Sequence, residues 1–402
     1  SATLIVISSL LFQNPNNQGI NWTFPYFSGA ANFEQLFDWK ISPSDYEIAS
    51  NLSEQEYWRY NHQKTSDVIR ETYNSYGYVL VAIASTRLFP FLGDLQSVIL
   101  LQLIVHLSVS IFMVAYVLKS QFQRFGFLFI YSANPLVIYF VTFPYYYFWM
   151  FIPSICFIVW WTRSEWRIYS LAVSLPFLLL SLLIRPTTLF LCIFMYFAAI
   201  YFAASNGERL VALGSGLALI LGIFLITGTG GRSPAHAMYV GLGAYPNIVG
   251  VQDLSDGEGY RFFHSKSGVT IDTNAVKGNF RDPVIRSQYM DTLMNRYKEI
   301  FLENSLLILR NAALNTLQTF SVGYDADRKW VNWLSSVTGL MVLTFLAYTH
   351  QWVWIMAVLA CAAGFAWYFP PIPAYNFGAY PLLVMGCLSG LELIITKWQC
   401  RD

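Results

Sequence analysis

Residues 95–118 contain no Asp, Glu, Lys or Arg, and after Arg124 the next charged residue is Arg163. Such runs limit what a chain can fold into. A helix rises 1.5 Å per residue, so about 20 apolar residues cross a hydrocarbon core roughly 30 Å thick. Spans are predicted at 95–118, 125–143, 146–161, 168–184, 188–204, 210–228, 333–349, 351–369 and 380–396. Charged residues make up only 12% of the 402 and hydrophobic ones 55%, about half the charge usual in a soluble domain. No soluble core hides so many long apolar runs. Ser1 to Phe12 (SATLIVISSLLF) is too short to cross and reads as the outer end of a first helix, with a cleaved signal remnant as the alternative. The fold expected is all-α, a polytopic integral membrane protein with about ten transmembrane helices plus outer-face interfacial helices.

The polar chemistry is unevenly placed. The short connections that carry base are KSQFQR (Lys119, Arg124), TRSEWR (Arg163, Arg167), NGER (Arg209) and the tail KWQCRD (Lys397, Arg401). With the predicted spans, all fall on one side, which the positive-inside rule makes cytoplasmic. The opposite side receives 13–94, the turn after Tyr139 with its aromatic run at 143–147, the Arg185-Pro186 turn, 229–330 and the proline-rich turn at 370–376. The chain therefore reads as a single membrane domain over 1–402. Its parts are a first outer-face segment (13–94), a helical core (95–228), a second outer-face segment (229–330) and C-terminal helices (331–402). Two pieces of the outer segments, 76–94 and 303–320, read as helices at the membrane interface, the first alternatively dipping partway in and the second alternatively a true span. A net charge of +1 gives no pointer to nucleic acid, and no nucleic-acid partner is expected. The five cysteines show neither disulfide nor metal spacing.

Three constellations could carry chemistry. In FDWKISPSDYEIA, 37–49, Asp38 and Asp45 stand seven apart, with Glu47 two further on. Asp45 suits a helix N-cap or, beside the membrane, a general base toward an acceptor hydroxyl or amine. In LLIRPTT, 182–188, Arg185 ends one apolar run. An ionisable group at that depth is costly and tends to be functional or paired. A guanidinium there suits a phosphate or pyrophosphate, although an arginine at a helix end also snorkels. The glycine-rich 228–247 offers Arg232 and His236 over a lipid phosphate, or is a plain loop. Its spacing fits neither a P-loop nor a dinucleotide fingerprint. The acidic stretch 253–264 lacks the pattern of a calcium loop. His106 and His350 read as structural.

The order of these features resembles the membrane glycosyltransferases of the C fold, nearest to the branch of protein O-mannosyltransferases and lipid A aminoarabinose transferases. The likeness is carried by S-D-Y-E-I-A after a first span and by TRLFPFLGD leading straight into a long span. It continues with SANPLVIYF and with a span ending in L-I-R-P-T-T. It covers roughly residues 1–204 in order. The chain departs from the family in having Asp45 followed by Tyr, and in having Ala379-Tyr380 where many relatives have Arg-Tyr before the last span.

The resemblance implies a glycosyltransferase that moves a sugar from a polyprenyl-phosphate-linked donor to an acceptor glycan, lipid or protein. The active face would be the periplasmic or lumenal side of an inner, plasma or ER-type membrane. Asp45 would match the family's catalytic acid residue, with Glu47 and Asp38 as competitors. Arg185, Arg232 and His236 would face the donor phosphate. Metal dependence stays open, because some relatives use a divalent metal ion and others do not. The alternatives are a polymerase or ligase acting on lipid-linked polysaccharide, and a non-catalytic subunit with partners in a membrane complex. No internal repeat supports a transporter.

Overall fold

The computed structural model describes residues 76–227, 234–272 and 279–400. Every regular element among them is helical. The first half is a bundle built from α1 (Tyr76–Leu88), α2 (Asp94–Phe112), α3 (Gln121–Phe127), α4 (Pro135–Thr142), α5 (Ile152–Thr162), α6 (Arg167–Ile184), α7 (Leu189–Tyr201) and α8 (Asn206–Thr227). A second group follows: α9 (Ala235–Gly241), α10 (Asp256–Ser267) and α11 (Pro283–Glu303). The chain then returns through α12 (Ser305–Thr319), α13 (Lys329–Tyr348), α14 (Trp352–Ala362), α15 (Pro373–Asn376) and α16 (Tyr380–Gln399).

Each stretch predicted as a span beyond residue 94 contains helix, although in 351–369 the helix covers only Trp352–Ala362. Four helical stretches among the described residues are long and apolar enough to cross a membrane alone: Leu95–Val117, Ser164–Ile184, Lys329–Tyr348 and Pro373–Gln399. A fifth is counted if α3 and α4 form one span bent by 55°. Other apolar helices, such as Tyr146–Thr162 and Trp352–Ala362, are shorter. The 23 residues from Leu95 to Val117 alone rise roughly 34 Å. This is a membrane protein, and its surface agrees. Phe129, Val173 and Phe197 are all more than 60% exposed, as lipid-facing side chains are.

The bend between α3 and α4 has a local cause. Pro135 supplies no amide hydrogen and drives Asn134 out of the helical region. The Asn134 side chain then caps α4 by accepting from the Leu136 amide at 2.9 Å. Beyond α4, the buried Gln102 of α2 pins the following turn. Its Nε2 donates to the carbonyls of Val141 and Phe143 at 2.8 and 2.9 Å, and its Oε1 accepts from the Trp149 indole at 3.2 Å. In lipid, such side-chain bonds hold non-helical backbone in place. This one sets the position of Tyr145, Tyr146 and Tyr147.

The second group has its own core. Ala235, Phe263, Tyr289, Leu293 and Ile300 are almost fully buried together. The glycine-rich stretch expected as a loop becomes helix α9 from Ala235, and the acidic stretch becomes α10 with Asp256 and Glu258 in its first turn. Carboxylates favour that end of a helix dipole.

Helix α12 is inside out. Asn311, Asn315 and Gln318 are buried, while Leu306 and Leu309 are 79% and 63% exposed. Most of the polar face is satisfied within the protein, Asn311 Nδ2 being the exception. Asn315 Nδ2 donates to the Ala366 carbonyl and Gln318 Nε2 to that of Asn332. The Tyr245 hydroxyl lies 2.8 and 3.0 Å from the two side-chain oxygens, which share its single proton. The amphipathic helix predicted at 303–320 is therefore present, with its leucines turned outward beside α13, one of the span-length helices.

Candidate functional site

Three turns far apart in sequence meet at one end of the bundle. The first is the aromatic run after Phe143. The second is the break between α6 and α7, where Pro186 forces Arg185 into extended backbone (φ −150°, ψ 104°) and ends α6. The third is the proline-rich turn that carries α15. These are the turns that the charge pattern assigned to one side. The Arg185 turn is laced internally, since Thr188 Oγ1 donates to the Arg185 carbonyl at 2.9 Å and accepts from Ser181 at 3.3 Å. It is also wedged from outside, because a Cβ on Gly364 would overlap the Thr187 carbonyl. The third turn is held by Tyr324, whose amide donates to Pro371 at 2.9 Å. Here Gly323 takes φ +98° and leaves no room for a side chain against Pro371.

Where they meet, the Arg185 guanidinium carbon lies 5.0 Å from the ring centre of Tyr146 and 5.0 Å from that of Tyr375. Its Nε is buried without a hydrogen-bond partner, and so is Thr187 Oγ1 two residues on. No carboxylate among the described residues pairs with Arg185. Magnitudes matter here. Removing a guanidinium from water costs several kcal/mol, and a desolvated cation–π contact returns about 2 kcal/mol. Two rings and a hydrogen bond shared with Tyr375 offset part of the cost, and a positive charge with an orphaned Nε donor remains. Arg185 as a whole residue is half-buried rather than sealed.

His236 sits apart, in the second core. Its Nε2 is 3.0 Å from Asp256 Oδ1 and its Nδ1 is 2.6 Å from the Tyr289 hydroxyl. These partners assign the tautomer: Nε2–H donates to the carboxylate and Nδ1 accepts from the phenol. Tyr260 stacks on the imidazole, its ring centre 5.9 Å away. The hydrogen bond from His236 holds the Asp256 carboxyl below its usual range. Burial pushes the Tyr260 hydroxyl up to about 12 and the Tyr289 hydroxyl higher still. Both imidazole nitrogens are thus engaged inside the chain, which makes His236 a clamp between α9, α10 and α11. The two cores touch at Tyr368. A Cβ on Gly241 of α9 would overlap the Tyr368 carbonyl.

Asp38, Asp45, Glu47 and Arg232 lie outside the described residues. Among those described, no group of His, Cys, Asp and Glu could hold a metal ion. His106, expected to be structural, shares a 3.0 Å hydrogen bond with the Ser132 carbonyl through its Nε2. The sequence reading missed Thr187, Tyr375 and Tyr289 as site residues. The tyrosine run and the proline-rich turn were signals for the first cluster, but nothing local marks Tyr289.

No family model matches the chain, nor does any curated protein or solved structure.

Proposed function

We propose that the chain is a membrane glycosyltransferase that moves a sugar from a polyprenyl-phosphate-linked donor to an acceptor on the periplasmic or lumenal face. The observation that carries this reading is Arg185: a half-buried guanidinium between two tyrosines, with an unmet Nε donor and no carboxylate among the described residues to neutralise it. A cation buried at the end of an apolar helix needs an anion, and the phosphate of a membrane-borne lipid arrives at that depth. As the glycosidic bond breaks, negative charge grows on the phosphate, and a preorganised arginine stabilises it more than it stabilises the ground state. Thr187 Oγ1 would add a second donor. The ordered likeness to the C-type glycosyltransferases, with about ten spans, supports the same reading. In it Asp45, or Glu47 or Asp38, takes the acceptor proton, and Arg232 assists at the phosphate.

The test uses the full chain in detergent with a short-chain polyprenyl phosphate as probe. An arginine–phosphate contact contributes about 1.5–3 kcal/mol, so Arg185→Gln should weaken binding roughly 10- to 100-fold. Folding should survive, because no carboxylate among the described residues pairs with it. Unchanged binding would sink the phosphate assignment. Full sugar transfer by well-folded Asp45→Asn and Glu47→Gln variants would sink the catalytic one.

A further inference from the structure

The other end of α6 presents a second cationic site, independent of the first. Arg163 and Arg167 flank the short 3-10 turn Ser164–Trp166 that joins α5 to α6. The Arg163 guanidinium carbon lies 5.4 Å from the Trp166 ring centre, and that of Arg167 lies 5.9 Å from Trp160. The Nε of each arginine is buried and unpartnered. Arg167 Nη1 donates to the Phe202 carbonyl at 3.3 Å, and Arg163 Nη1 pairs with Glu165 at 3.0 Å. Lys119, at the end of the span that contains α2, acts electrostatically on the same Glu165. Two cations, Arg163 and Lys119, therefore act on one carboxylate, and Arg167 stands at the other end of the same turn.

We propose that this cluster binds the phosphate of an anionic phospholipid on the face opposite Arg185. Membrane topology accounts for basic residues here. It does not account for two arginines laid on tryptophans with their inner edges closed to water, which leaves only the outer Nη groups to meet an anion. Stacking also fixes the guanidinium planes, so less side-chain freedom is lost on binding. A lipid source follows from the neighbours. Phe112 stacks on Trp166 at 6.4 Å, and Phe112, Tyr116, Ile168 and Tyr169 are all exposed on the flanking span-length helices. Apolar surface for acyl chains thus begins where the cations end. Basic pockets between membrane helices recognise anionic headgroups in this way.

Native mass spectrometry of the full chain, released from micelles of mixed phosphatidylglycerol and phosphatidylcholine, tests this. The wild-type chain should retain phosphatidylglycerol in preference. Each arginine near an anionic headgroup contributes roughly fivefold, so Arg163→Gln with Arg167→Gln should lower that retention roughly 30-fold. Inorganic phosphate in large excess should leave the lipid in place; displacement would mean a free-anion site and overturn the lipid assignment. Equal retention of the two lipids by the wild type, or an undiminished preference in a folded glutamine variant, also overturns it. If that variant does not fold, Glu165→Gln decides instead. Removing the competing carboxylate should tighten retention, and unchanged or weaker retention refutes the site.

Discussion

Thr187 shows how a single hydroxyl separates a ligand-binding role from a structural one. Its Oγ1 is buried and has no partner, whereas its neighbour Thr188 spends its hydroxyl on the Arg185 carbonyl. A buried hydroxyl with no bond costs the folded state about 1–3 kcal/mol. Replacing it by a methyl group of the same shape removes that cost. Thr187→Val should therefore leave the thermal midpoint unchanged or raise it slightly. Polyprenyl phosphate binding should fall roughly five- to tenfold, the worth of one hydrogen bond to a phosphate. Thr188→Val, by contrast, should lower the midpoint, because the turn loses its internal bond. The two variants measured side by side check the assignment. Loss of stability without loss of binding at Thr187 would show that the hydroxyl serves the fold alone.

At the scale of elements, α12 reverses the expectation for a water-soluble amphipathic helix. Asn315 is 2% exposed and bonds Tyr245 and Ala366, while Leu306 is the outward residue. Asn315→Leu should cost about 1–3 kcal/mol by stranding buried polar groups, with a lowered unfolding midpoint. Leu306→Ser in detergent should change stability by no more than about 0.5 kcal/mol. Were the serine variant the more damaging, the leucine face would have to be packed against protein. The sequence had marked 303–320 as helical and amphipathic, because spacing reveals a period. It did not show which face is buried, since that depends on Tyr245 and Asn332 arriving from other elements. The same limit explains α9. Its glycine-rich approach reads as loop, and only packing on Tyr289 and Leu293 of α11 makes a helix of it. Asn134-Pro135, in contrast, breaks the chain through local chemistry alone. The helices occupying the uncharged runs were legible for a like reason, since backbone hydrogen bonds inside lipid must be met within each segment. Of the site, Arg185 was legible because a charge interrupting apolar sequence is conspicuous. Its partner Tyr375 lies nearly half the chain away and was not.

For the whole molecule, α6 is the measuring rod. It has Arg167 at one end and Arg185 just beyond the other, across 18 helical residues, or roughly 27 Å. The two cationic sites thus lie a membrane apart. Helix α16 runs the same distance: Tyr380 follows the turn that carries Tyr375, and the far end is tied near the basic loops, where Gln123 Nε2 donates to Glu392 at 2.6 Å. Cys400 therefore emerges on the Arg167 side. The second core lies at the Arg185 end. Tyr324, bonded to Pro371, donates to the Ala244 carbonyl at 2.7 Å, and Asp253, packed against Gly243, is exposed there. Cys400 is exposed, Cys192 and Cys361 are buried and Cys156 and Cys387 are half-buried, so with Cys156 and Cys387 changed to Ser the native tail is a reporter and Asp253→Cys supplies its counterpart. Basic loops stay on the cytoplasmic side. On intact cells a membrane-impermeant maleimide should accordingly label Asp253→Cys from outside and reach Cys400 only after permeabilisation. Labelling both from one side would contradict the paired ends of α6 and α16. Labelling with the sides exchanged would leave the fold intact, place Arg185 on the cytoplasmic face, and remove the outer-face sugar transfer proposed from it.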